Sequence, residues 1–137
     1  MKIILIRPFY EYGHLTPPLG IGYLASYLKN NGIQAIIIDA LRDRITNSNK
    51  LINIIINEKP DIVGITCLTS FYTEVVELSQ LLILNKIRVV IGGVHPTFLP
   101  YQTLIESKAD FVICGEGEIA LLKLIQNNNF EDLNRRI

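Results

Sequence analysis

The 137-residue sequence predicts an α/β fold in which a five-stranded parallel sheet is covered by helices on both faces. Three observations predict it. Apolar runs alternate with helical patterns from one end of the chain to the other. The runs are continuous rather than alternating, as strands buried on both faces require. Each run is followed by a helix, the connection that parallel strands need.

Each element has its own signal. Residues 2–6 are the first strand. Residues 20–30 form a helix, with Ile21, Leu24, Ala25 and Leu28 on one face and Asn31-Gly32 as its C-cap. Residues 35–38 are the second strand, ending at Asp39. Ser48 or Asn49 caps a helix to about residue 58, which Lys59-Pro60 stops. A third strand (61–66), a helix (73–84) and a fourth strand (87–91) follow. A short helix (101–107), a fifth strand (110–114) and a last helix (118–126) complete the pattern. Right-handed crossovers then give a three-layer flavodoxin-like or Rossmann-like domain over residues 1–126, with strand order 2-1-3-4-5. Residues 127–137 read as a polar tail, the start of a linker to a further domain.

Composition narrows the function classes. A chain of this length fits one domain with a real core. Thirteen basic and thirteen acidic residues give zero formal net charge, so no basic stripe points to nucleic acid. The apolar start at residues 3–6 is ended by Arg7, Pro8 and Glu11, too early for a signal peptide. No apolar stretch reaches the ~18 residues that span a bilayer. A cytoplasmic protein is expected, without membrane or nucleic-acid partners. Cys67 and Cys114 lack metal-site spacing. Both end strands, and if strand four lies between them they are roughly 9–10 Å apart, beyond disulfide reach. Both read as small buried residues.

Two strand ends stand out. The run 89–91 stops at Gly92-Gly93-Val94-His95-Pro96-Thr97, and the run 111–114 stops at Gly115-Glu116-Gly117-Glu118. Backbone without a Cβ there permits a left-handed turn or close approach of a ligand. In parallel sheets, ligands bind outside the carboxyl ends of the strands. That edge also carries Thr66-Cys67-Leu68-Thr69-Ser70, whose hydroxyls suit either a polar ligand or helix capping by Thr69, Ser70 or Thr73. The connection 7–19 is about twice the usual strand-to-helix length and holds Phe9, Tyr10, Tyr12 and His14. Its aromatics suit a large planar partner, or simply cover the sheet edge.

Other chemistries fit less well. Gly20-Ile21-Gly22-Tyr23-Leu24-Ala25 spells a dinucleotide fingerprint, and Asp39 ends the second strand where a ribose-binding acid would stand. The fingerprint needs its first glycine directly after strand one, and Arg7 to Leu19 intervene, including Pro17-Pro18. Gly20 and Gly22 are instead expected to let their helix pack closely on the sheet. A phosphoacceptor aspartate at the end of strand three is replaced by Thr66. Glu116 and Glu118 suit a helix N-terminus better than acid–base catalysis. No catalytic constellation is evident, and no catalytic residue is assigned.

Together these stretches resemble the N-terminal cobalamin (B12)-binding domain of radical S-adenosylmethionine (SAM) enzymes. The resemblance rests on residues 17–25, 60–66, 92–97 and 115–118 in this order. It implies a corrinoid, with its cobalt, across the carboxyl edge of the sheet and a nucleotide tail in a cleft beside it. It implies that Thr66, Leu68 and Thr69 contact the tail, that Gly92 and Gly93 let it pass close to backbone, and that Gly115, Glu116 and Gly117 flank its end. Tyr10, Pro18 and His95 complete the expected set. The D-x-H-x-x-G motif of the mutase-type domains, which supplies a cobalt ligand, is absent. Water, Tyr10, His14 or nothing is left for the lower axial position. The radical-domain motif C-x-x-x-C-x-x-C is also absent, so no iron–sulfur cluster is expected in this chain. A non-catalytic cobalamin-binding module is expected, its radical SAM domain supplied in trans or missing from this chain. The competing expectation is a degenerate flavodoxin-like docking or regulatory domain that no longer binds cobalamin. A Gly93→Phe change is expected to abolish binding and spare the fold.

Overall fold

The computed structural model describes residues 1–11 and 15–127. Its strands are β1 (Lys2–Arg7), β2 (Gln34–Asp39), β3 (Ile62–Thr66), β4 (Val89–Gly92) and β5 (Phe111–Val112). Its helices are α1 (Leu19–Asn30), α2 (Ser48–Glu58), α3 (Tyr72–Leu84), α4 (Val94–Phe98), α5 (Pro100–Ser107) and α6 (Glu118–Gln126). The strands are all parallel, in the order β2-β1-β3-β4-β5. The predicted fold class and strand order both hold.

Two apolar layers sandwich the sheet, because successive residues of a strand face opposite sides. Ile4, Ile6, Val63, Ile65, Val89 and Ile91 pack on α2 and α3. Ile3, Leu5, Ile62, Val90 and Phe111 pack on α1 and α6. The face towards α1 and α6 changes character near the carboxyl ends of the strands. Leu5, Gly64 and Val90 are neighbours in register, and the next row up is Thr66 beside Gly92. Small residues in the middle of that face leave a trough that larger ones would fill.

Local expectations fail at four places. Asn47, not Ser48 or Asn49, caps α2, accepting from the amides of Asn49 and Lys50. No hydroxyl of the 69–73 segment caps a helix: Thr69–Phe71 is a 3₁₀ turn that leads straight into α3. The segment after the paired glycines is a helix, α4, with Pro96 in its first turn, where a missing N–H costs nothing. β5 is only two residues long, although Asp110 and Ile113 still donate to Val89 and Ile91.

Candidate functional site

A cleft of about 210 Å³ opens between α1, α6 and the carboxyl half of the sheet. Leu5, Gly64 and Val90 form its floor, Thr66, Gly92 and Gly93 one wall, and Gly20, Leu24, Gly115, Glu116, Gly117 and Leu121 the other sides. The lining is mainly apolar, with the Thr66 hydroxyl and the Glu116 and Glu118 carboxylates as its polar side chains. The volume falls below the roughly 300–1,000 Å³ of a site for a whole drug-sized ligand. It suits the narrow end of something larger, whose bulk lies outside the sheet edge.

Two glycines of this site have separate physical causes. A Cβ at Gly64 would stand 2.8 Å from the tip of Leu5, so glycine keeps the floor of the trough low. Gly93 has φ +114°, and a Cβ there would stand 2.6 Å from the Cys67 carbonyl oxygen and 2.9 Å from its nitrogen. The amide of Cys67 donates to Gly92 and the amide of His95 to Cys67, which locks β3 against the start of α4. Gly93 is therefore required by the fold itself. The expectation that Gly93→Phe would spare the fold is overturned. A Cβ at Gly92 meets nothing closer than 3.9 Å, so that position borders open cleft.

Six of the sequence-predicted residues come together here: Thr66, Gly92, Gly93, Gly115, Glu116 and Gly117. The others lie around it. Leu68 and Thr69 are exposed at the sheet edge, Leu68 to 41%. His95 is buried behind that edge, its Nδ1 3.0 Å from the Thr69 hydroxyl. Pro18 lines a shallow groove between α1 and the edge strand β2. Tyr10 packs with the core on the opposite face of the sheet, its ring stacked 4.5 Å from Phe71. His14 lies outside the described residues. Gly20, Leu24 and Gly64 lie in stretches that carry the resemblance but are not among the expected site residues, and neither are Leu5 and Leu121. A lone glycine inside the buried run 62–66 was the available signal. The other readings of the glycines also change: a Cβ at Gly20 or Gly22 touches nothing, so close helix packing is not their reason.

The β1–α1 connection is tied at both ends. Arg7 donates from Nε to Asp39 Oδ1 (2.9 Å), from its second terminal nitrogen to Oδ2 (2.7 Å), and from the first to the Thr16 carbonyl (2.6 Å). Both side chains are nearly buried, 9% and 2% exposed. Asp39 is thus spent on an ion pair and is not a ribose-binding acid. Cys67 is a buried free thiol whose pKa is pushed up to about 12 by burial. Cys114, expected to be buried, is an exposed free thiol, because β5 ends before reaching it. Among the described residues no cluster of metal-ligating side chains occurs, and no helix is long and apolar enough to cross a membrane.

Residues 9–125 match the profile of the family described as the B12 binding domain. The chain belongs to the B12-binding domain family. The family's description names B12 (cobalamin), the group that the resemblance led one to expect. The chain is 37% identical over 134 residues to an uncharacterized methyltransferase of Pyrococcus horikoshii, covering 91% of this chain and 29% of that protein. It is 32% identical over 150 residues to the anaerobic magnesium-protoporphyrin IX monomethyl ester cyclase of Cereibacter sphaeroides, covering 100% of this chain and 24% of that protein. The B12-binding domain therefore spans about a quarter of the length of these relatives.

Solved structures agree on the fold. The radical SAM methyltransferase TsrM from Kitasatospora setae, with cobalamin and a [4Fe-4S] cluster bound, superposes with a TM-score of 0.82 at 18% identity, over 98% of this chain and 27% of that one. The cobalamin-dependent radical enzyme OxsB, with aqua-cobalamin and S-adenosylmethionine bound, gives 0.75 at 24% identity, over 92% of this chain and 19% of that one. The receiver domain of the response regulator TorR gives 0.60 at 14% identity, over 95% of this chain and 98% of that one. The flavodoxin-like fold is common to all three. At the end of β3 the B12-binding domain carries Thr66.

Proposed function

We propose that this B12-binding domain holds one cobalamin, is not catalytic alone, and presents the cofactor to a radical SAM domain for reactions such as methyl transfer. The observation that carries this reading is the trough made by Leu5-Gly64-Val90 and Thr66-Gly92, open towards the carboxyl edge. The residues present fit the group. A flat base with an apolar body needs a narrow, mostly apolar slot with few polar groups, and the cradle here is one that side chains at Gly64 or Gly92 would fill.

In this reading the cleft takes the nucleotide tail, with Thr66, Gly92 and the turn 115–117 around it. Leu68 and Thr69 on the rim and Pro18 beside β2 then border the cofactor, and Tyr10, stacked on Phe71, backs the connection over the sheet edge. When bound, cobalamin supplies the cobalt-centred chemistry. The chain's own residues enclose it, orient it and exclude water from one side. The domain boundary is proposed at residue 126, with residues 127–137 leading towards the remaining domain. The relatives' extra length supports that domain's existence, and the exposed apolar stripe of Phe98, Tyr101 and Ile105 on α4 and α5 offers it a surface.

The test is direct. Purified protein is incubated with hydroxocobalamin, desalted, and examined by visible spectroscopy. Retained corrinoid absorbance is expected, and Gly92→Leu is expected to lose it with the circular dichroism spectrum unchanged. No retained corrinoid at micromolar protein would overturn the proposal in favour of a docking domain that has lost its cofactor.

A further inference from the structure

The polar group that the fold leaves least explained is the imidazole of His95. It is 5% exposed and sits in the first turn of α4. Its Nε2 is buried without a hydrogen-bond partner, one of only two such side-chain atoms among the described residues. Its Nδ1 lies 3.0 Å from Oγ1 of Thr69. The ring stacks on Tyr72, with centroids 4.1 Å apart and planes 24° from parallel. Tyr72 is anchored in turn by donating to the Glu106 carboxylate at 2.5 Å. An aromatic stack thus fixes the plane of the imidazole, and Thr69 is the group it addresses.

A neutral imidazole carries one N–H, on one nitrogen or the other. With the proton on Nε2, a buried donor would be orphaned and Thr69 would have to donate its own hydroxyl proton to Nδ1. With the proton on Nδ1, the ring donates to Thr69 and only a bare acceptor is left unpaired. Among buried backbone groups an orphaned N–H is rarer than an under-satisfied carbonyl, and the same ordering is applied here to the ring nitrogens. The second tautomer is therefore the one that this environment favours. It also leaves the Thr69 hydroxyl proton free to point away from the ring, and Thr69 is exposed at the sheet edge.

We propose that His95 is a positioning residue that presents Thr69 as a hydrogen-bond donor to a carbonyl or phosphate oxygen of the ligand. The inference rests on the cobalamin reading, since a cobalamin offers both acceptors: amide carbonyls around the corrin and a phosphodiester in the tail. Cobinamide keeps the corrin amides and lacks the phosphodiester, so it separates the two sources.

Two measurements test it. The first uses the protein without ligand: ¹⁵N-correlated NMR of the His95 ring is expected to show protonation at Nδ1. Protonation at Nε2 would overturn the proposal whatever happens with ligands. The second measures corrinoid dissociation constants. Thr69→Val and His95→Leu are each expected to weaken cobalamin binding about five- to tenfold, the effect of one hydrogen bond. The double variant should be no weaker than Thr69→Val alone. His95→Asn, which returns a donor near the Nδ1 position, should recover part of the loss. Equal losses with cobinamide assign the acceptor to a corrin amide, and losses confined to cobalamin assign it to the phosphodiester. Additive losses, or no recovery with Asn, would mean that His95 only supports packing. If His95→Leu does not fold, the tautomer and Thr69→Val decide. Wild-type protein that binds neither corrinoid sinks the functional reading, whereas wild-type binding with Thr69→Val unchanged sinks only this proposal.

Discussion

Gly93 and Gly92 are adjacent, yet they answer to different constraints. Gly93 is held at φ +114° with its Cα against the Cys67 backbone, so any side chain pays both strain and a clash with atoms that cannot move aside. Gly93→Ala is expected to cost about 2–4 kcal/mol in urea denaturation. Gly92→Ala meets only ordinary contact, and its cost should stay within about 1 kcal/mol. The two thiols divide in the same way. Cys67 is buried and its thiol stays protonated well above neutrality, whereas Cys114 is exposed. Native protein should therefore release one equivalent of chromophore rapidly with Ellman's reagent and the second only on unfolding. Cys114→Ser should remove the fast phase.

At the scale of elements, the β1–α1 connection is the part with the most distinctive support. Its near end is half-buried, with Phe9 and Tyr10 packed against the core, and its far end hangs on the Arg7–Asp39 pair through Thr16. A buried pair that loses one partner leaves an uncompensated charge, a loss of about 3–5 kcal/mol. Arg7→Met is expected to lower stability by that order and to speed proteolytic cleavage near Leu15. Unchanged cleavage would separate the ion pair from the anchoring of the connection. α2 depends on a smaller device. Removing the Asn47 side chain, which accepts from two amides of the first turn, should cost about 0.5–2 kcal/mol, read as a shift in the urea midpoint.

For the whole molecule, alkaline stability follows from the buried Cys67 thiol. Its pKa is raised from an ordinary 9.0 to about 12, so between those values the folded protein keeps a proton that the unfolded chain has released. Stability is then undiminished below pH 9 and falls as the pH rises above it. Tyr72 acts in the same direction, its phenol raised by burial and by the hydrogen bond to Glu106. Cys67→Ala should lose less stability between pH 9 and 11 than the parent, measured by urea denaturation at each pH. Glu106 has the opposite sign. The Tyr72 hydroxyl holds its carboxyl below the usual range, so Tyr72→Phe should raise the Glu106 titration midpoint in a ¹³C NMR titration.

The amino-acid order alone carries the succession of elements, the parallel sheet and its topology. Those depend on periodicity and on short connections, which are local properties of the chain. It also placed Thr66, Gly92, Gly93 and the 115–117 turn at one edge, because each follows the carboxyl end of a strand. Tertiary structure decided the rest. Only register showed that Gly64 lies between Leu5 and Val90 and so lowers the cleft floor. Only packing showed that Gly93 serves the Cys67 backbone, that Tyr10 belongs to the opposite layer, and that Asp39 is spent on Arg7. The buried imidazole of His95 has both its partners, Thr69 and Tyr72, in the stretch that follows β3, distant from it in the chain. Contacts between residues distant in the chain leave no periodic trace, so side-chain roles that depend on them become legible only when the layers close.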